Sequence, residues 1–75
     1  MFSQSVFSRR LKALRKSRNI TSQQLADVIG TSRVAISQFE NEANAPSVHS
    51  LIALADYFDV SLDYLVGRSD NPTRK

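Results

Sequence analysis

The 75-residue sequence contains no cysteine and only one histidine, His49. Without cysteine, neither a disulfide framework nor a thiolate metal site can stabilise the fold, and one histidine cannot build a metal site alone. We therefore expect no metal, no cofactor and a core held together by hydrophobic packing. His49 follows a helix-capping serine and is expected to be an exposed side chain.

Long hydrophobic runs are also missing. No stretch of 18 apolar residues occurs, as a membrane-spanning helix would need, and the N-terminus lacks the continuous apolar segment of a signal peptide. We expect a soluble, cytoplasmic domain with no membrane partner. At this length the chain is one domain at most, which leaves no room for a large catalytic cleft.

Catalytic motifs are absent as well. The acidic residues are scattered singly, no nucleophile is paired with a base, and the two glycines form no phosphate-binding loop. We therefore predict that the chain is not an enzyme and that this domain takes no small-molecule ligand.

What the sequence does have is a strong asymmetry of charge. Residues 1–33 carry seven lysines or arginines and one aspartate, whereas residues 34–70 carry one arginine and six acids. A basic end suits a polyanion such as nucleic acid, or an anionic membrane surface. A solvated basic helix face without a partner would give the same pattern.

The hydrophobic periodicity predicts an all-α fold, because no segment alternates apolar and polar residues as a strand does. Apolar residues recur instead at helical spacing in five segments. The expected buried stripes are Phe7, Leu11 and Leu14; Leu25, Val28 and Ile29; Ile36 and Phe39; Leu51, Leu54, Ala55 and Phe58; and Leu62 with Leu65.

Polar residues mark the ends of these five helices. Ser3 or Ser5, Thr21, Ser32, Ser47 and Ser61 are the expected N-caps, and Thr21 with Gln24 forms a capping-box pattern. The first helix should end at about Ser17, and Gly30 and Gly67 should end the second and fifth.

The second and third helices are joined by too few residues to lie antiparallel. Small Ala26 where they cross, Gly30 four residues later and Ile36 six after that match a helix-turn-helix. The run TSQQLADVIGTSRVAISQFEN resembles the helix-turn-helix of the lambda-repressor-like, Cro/Xre-type DNA-binding proteins. SLDYLVGRSDN resembles the end of their five-helix domain, and RVAISQ is similar to recognition helices of lambdoid phage repressors.

This resemblance covers residues 7–68 and implies a compact five-helix DNA-binding domain over residues 1–68, followed by a flexible polar tail over residues 69–75. It further implies a sequence-specific transcriptional regulator, bacterial or phage-encoded, that acts as a repressor and binds a palindromic double-stranded DNA operator as a homodimer. The alternative is a protein-interaction module, antitoxin-like or partner-binding, that keeps the fold without reading DNA.

In this family the third helix enters the major groove, which implies that Arg33, Val34, Ser37 and Gln38 contact bases. Arg33 can bond guanine or clamp a phosphate, and Gln38 can pair with adenine, donate to guanine or remain in solvent. Val34 can bury thymine methyl groups, unless it belongs to the core. Ser37 can reach a base or a phosphate oxygen.

Phosphate contacts are expected at helix N-termini, where free amide groups and the helix dipole attract anions. The expected backbone-contacting residues are Arg10, Thr21, Ser22, Gln23, Ser32 and Asn41, with Arg9 and Lys12 as further possibilities. Each of these arginines and lysines could equally be a solvated charge.

The resemblance also implies an ion pair between Arg15 and Glu40 that orients the third helix. The alternative for Arg15 is a free side chain facing DNA or water. The sequence departs from the family at Glu42, where a glycine is usual, and at Asp27, which adds a negative charge to the second helix. For the dimer, the family-like surface is Tyr57 with Tyr64, Leu65 and Val66.

Overall fold

The computed structural model describes residues 2–74, and these form five helices without a strand. The all-α, five-helix architecture expected from the sequence is confirmed. The helices are α1 (Gln4–Ser17), α2 (Ser22–Ile29), α3 (Arg33–Glu40), α4 (Val48–Phe58) and α5 (Leu62–Leu65).

Each helix begins at a hydroxyl side chain that accepts a hydrogen bond from a backbone amide in the first turn. The N-caps are Ser3, Thr21, Ser32, Ser47 and Ser61, as predicted. Thr21 and Gln24 satisfy each other's amide groups in a complete capping box. Gly30 ends α2 in the left-handed conformation, at φ 76°, so the chain turns at once into α3.

The core draws its fully buried side chains from every helix. The largest are Phe7, Leu11, Leu25, Ile36, Leu54 and Leu65. At about 1.5–3 kcal/mol for each buried Leu, Ile or Phe, this packing is the main stabilising contribution in a chain without disulfides.

Two expected core residues lie outside it. Val28 is exposed because the buried arc of α2 is formed by Leu25, Ala26 and Ile29, so the prediction for Val28 was wrong. Leu62 is also exposed, since α5 turns Leu65 inward and holds Leu62 on its outer side.

The helices pack in an order that leaves one side of α3 open. α3 contacts α2 and α1, α1 also contacts α5, and α4 contacts α2 and α5. α3 therefore packs against α2 and α1 on one face, and its opposite face is on the surface. No helix within residues 2–74 is long and apolar enough to cross a membrane.

Residues 69–74, which we expected to be a flexible tail, lie against α4 and α5. The Ser61 amide donates to the Pro72 carbonyl at 2.9 Å, and the Arg74 guanidinium donates to the Ala55 carbonyl and to Asp56. The tail thus has defined contacts with the domain over the part of it that the structure describes.

Candidate nucleic-acid interface

The outer face of α3 carries the residues expected to contact bases. Arg33, Val34 and Ser37 are exposed and Gln38 is half-buried, while Ile36 and Phe39 on the opposite face are buried. Val34 is 57% exposed. That exposure excludes the interpretation of Val34 as a core residue and leaves an apolar side chain on the surface in the first turn of the helix.

The start of α2 presents backbone amides to solvent. The Thr21 hydroxyl accepts from the Gln24 amide, and the Gln24 side chain accepts from the Thr21 amide at 2.8 Å. Ser22 and Gln23 follow directly, and their amide groups precede the first intrahelical hydrogen bonds. An anion placed at this end of α2 would meet those amides and the positive end of the helix dipole.

Two of the other expected backbone-contacting residues lie at the ends of α3. Ser32 uses its hydroxyl to cap the helix, accepting from the Ala35 amide at 3.1 Å. Asn41 follows the last turn, where its side-chain amide donates to the Ser37 hydroxyl at 3.3 Å. Asn41 and Ser37 therefore form a small polar pair beside the apolar Val34 face.

An ion pair fixes α3 against α1. Arg15 donates through Nε to Glu40 Oε2 at 2.6 Å and through Nη2 to Glu40 Oε1 at 3.0 Å. Its Nη1 donates to the Ile20 carbonyl at 3.0 Å. The hydrogen bond to Glu40 raises the pKa of Arg15 above its ordinary value; burial opposes this effect, and the charge of Glu40 adds a smaller increase. Arg15 therefore stays charged at any working pH.

Arg10, which we expected at the DNA backbone, has partners within the domain. Its guanidinium donates to the carbonyls of Tyr64 and Ser69 and to Asp70, and it stacks on the Tyr64 ring at 4.0 Å. The structure thus gives Arg10 partners in α5 and the tail.

Sequence reasoning did not group three cations of α1 that the structure brings together. Arg9, Lys12 and Lys16 line one groove, which Glu42 also lines. Their spacing of three and four residues was the available signal, because it places side chains on one face of a helix.

The described residues, 2–74, contain no group of three or more histidines, aspartates or glutamates placed to hold a metal ion. The chemistry available at this surface is hydrogen bonding, apolar contact and positive charge, which is the set of interactions that protein surfaces use on nucleic acid.

Comparison with known proteins places this surface in context. Residues 11–65 match the family described as helix-turn-helix. The uncharacterized HTH-type transcriptional regulator YobD of Bacillus subtilis is 37% identical over 70 residues, which cover 93% of this chain and 62% of that protein. The repressor protein C2 of Salmonella phage P22 is 39% identical over 57 residues, which cover 76% of this chain and 26% of that protein. The chain thus spans less than two thirds of the length of each of these relatives.

Among solved structures, the P22 c2 repressor in complex with a synthetic operator superposes with a TM-score of 0.81 at 34% identity, covering 85% of this chain and 97% of that one. The solution structure of the DNA-binding domain of the P22 c2 repressor gives a TM-score of 0.78 at 32% identity, covering 97% of this chain and 95% of that one.

Proposed function

The chain belongs to the helix-turn-helix family, and on that basis we propose that it is a sequence-specific DNA-binding transcriptional regulator that reads operator bases with α3. The observation that carries the proposal is the exposed, partly apolar face of α3, with Val34 57% exposed beside Arg33. In a soluble domain such a face fits the major groove, where the thymine methyl is the apolar feature of the base edges.

Each residue of this face has a role that its chemistry supports. Arg33 bonds guanine or clamps a phosphate, Val34 covers thymine methyl groups, Gln38 pairs with adenine or donates to guanine, and Ser37 bonds a base or a phosphate oxygen. Their common placement on a helix held by Arg15 and Glu40 supports a fixed reading geometry.

The phosphates bordering that groove are contacted from the helix ends. The N-terminus of α2, with Thr21, Ser22 and Gln23, supplies amide groups and the helix dipole. Ser32 and Asn41 contact the backbone at the two ends of α3. These contacts hold the register, while the α3 side chains specify the sequence.

We further propose that the protein is a repressor that acts as a homodimer in the cytoplasm of a bacterium, or in one infected by a phage that encodes it. A palindromic operator with half-sites about one helical turn apart would match its two-fold symmetry. The family-like dimer surface cannot form as a whole, because Leu65 and Val66 are buried within the protomer, while Tyr57 and Tyr64 are half-buried. Exposed apolar side chains on α4 and α5, Val48, Ile52 and Leu62, are available instead.

Selection of bound duplexes from a random DNA library tests this function. We expect an enriched palindrome. Val34→Glu should abolish binding to it because the charge would replace the apolar contact. Val28→Glu is the matched control, since Val28 is 55% exposed on α2 and carries the same change outside the interface.

Enrichment of no sequence by the folded protein would overturn the proposal and favour the partner-binding alternative. Equal loss of binding in both valine variants would show that added negative charge, and not the α3 face, determines the result.

A further inference from the structure

A groove runs between α1 and the loop that follows α3. Arg9, Lys12 and Lys16 line its α1 side, and Glu42 lines the loop side. Ser5, Ser8 and Ala13 complete its lining. The wall formed by α1 therefore carries three positive charges, and the opposite wall carries one negative charge.

The three cations differ from the other basic residues of α1 and from its C-cap, Arg18. Arg10, Arg15 and Arg18 donate side-chain hydrogen bonds to carbonyls or carboxylates of the domain. Arg9, Lys12 and Lys16 make no side-chain hydrogen bond to any residue in the described range. Arg9 and Lys16 are exposed and Lys12 is half-buried. Their charges are thus available to a ligand instead of being used in the fold.

The groove adjoins the end of α3. The Ser8 hydroxyl, on the groove, donates to the carbonyl of Phe39 in the last turn of α3. Glu42 follows Asn41, which ends that helix. The three cations therefore share a groove with Glu42, the residue that follows the expected phosphate-contacting Asn41.

Glu42 occupies an unusual position for a charged residue. Its φ of 60° is left-handed, a conformation that glycine adopts more readily than a residue with a side chain. Glu42 is exposed and lines the same groove as the three cations. A negative charge there repels phosphate and offsets part of the attraction that the cations provide.

We infer that this groove is a phosphate-binding track for the DNA that α3 reads, with Arg9, Lys12 and Lys16 as the cations and Glu42 as the residue that limits affinity. The inference rests on the proposed function. The groove adds a contribution to DNA binding that does not depend on the base sequence, and the residue at position 42 sets its size.

The test measures affinity against salt concentration for a duplex taken from the selection and for a scrambled duplex. Lys12→Ala and Lys16→Ala should each weaken binding to both duplexes alike, by about 3- to 10-fold, and each should flatten the slope of log affinity against log salt by about 0.9. Glu42→Gln should strengthen binding to both by about 2- to 5-fold, the range expected for one exposed charge.

Two matched controls separate the groove from overall charge. Arg68→Ala removes an exposed cation that follows α5, and Asp59→Asn removes an exposed acid that has a similar left-handed φ of 55°. Both should leave affinity and salt slope within twofold of the unmodified protein.

The outcomes are distinguishable. If the selected duplex binds but the groove variants behave like Arg68→Ala and Asp59→Asn, this inference is overturned and the proposed function stands. If Glu42→Gln weakens binding, its assignment as the limiting residue is overturned. If the unmodified protein binds neither duplex, the proposed function fails and this inference fails with it.

Discussion

Glu40, the last residue of the proposed recognition helix, accepts two hydrogen bonds from Arg15 near the end of α1. The contact distances are 2.6 and 3.0 Å, and the side chains are 15% and 7% exposed for Arg15 and Glu40. The same guanidinium holds the Ile20 carbonyl in the connection to α2. One side chain thus links α1, the α1–α2 connection and α3, and so fixes the placement of the proposed recognition helix.

We predict that Arg15→Ala lowers the free energy of unfolding by about 3 kcal/mol, because it leaves the Glu40 carboxylate enclosed without its partner. The double change Arg15→Met with Glu40→Leu should cost less, since no charge is then left uncompensated. Urea unfolding of the three proteins measures this. A double variant less stable than Arg15→Ala would show that the pair contributes net stability through its own attraction.

A second prediction concerns Arg10. Arg10→Ala removes hydrogen bonds to Tyr64 and Ser69 and the stacking on the Tyr64 ring, so we expect a loss of about 1–2 kcal/mol of stability. The salt dependence of DNA binding should not change.

Arg9→Ala is the control for Arg10→Ala, because it removes the same charge one residue away. It should leave the melting temperature unchanged and flatten the salt slope. If instead Arg10→Ala flattens the salt slope without a loss of stability and Arg9→Ala does not, Arg10 contacts the DNA backbone, as the sequence predicted.

The contrast between Arg10 and the N-caps shows what the sequence could predict. Thr21 and Gln24 are three residues apart, and their capping box needs no information beyond that spacing. Arg10 pairs with residues 54 to 60 positions away. Nothing local distinguishes it from Arg9, which faces the groove.

Arg18 also depends on long-range packing. It is the C-cap of α1, yet its guanidinium donates to the carbonyls of Tyr57 and Phe58 at the end of α4. A cation is favourable at the C-terminus of a helix, but only the packing shows which helix that is. The prediction that Val28 is buried was wrong for the same reason, because the helices that pack on α2 determine how wide its buried face is.

The two glycines provide a third prediction. Both have positive φ, 76° at Gly30 and 88° at Gly67, so alanine at either position is strained. At Gly30 an added Cβ would meet no atom within 4 Å, whereas at Gly67 it would lie 3.1 Å from the Cβ atoms of Ser3 and Val6.

We therefore expect Gly30→Ala to cost about 1 kcal/mol and Gly67→Ala about 2–3 kcal/mol, because only the second adds steric overlap to backbone strain. Thermal unfolding of the two variants measures the difference. Equal losses would mean that α1 can move away from Gly67 at little cost.

The last prediction concerns Val34 and separates reading of the sequence from non-specific binding. If the Val34 methyl groups pack on thymine methyl groups, Val34→Ala should weaken binding to the selected duplex by about 1–2 kcal/mol. Replacing thymine by uracil at the contacted positions removes the same contact from the DNA side. The two changes together should therefore cost less than the sum of the single changes, because each deletes one partner of a shared interaction.

Affinities for the four combinations, with the melting temperature of both proteins, test this. Val34 is 57% exposed, so Val34→Ala should leave the melting temperature almost unchanged. Additive losses of affinity would show that Val34 does not contact the methyl groups. If the losses are additive and the melting temperature is unchanged, α3 is intact and a side of it other than the one with Val34 faces the bases.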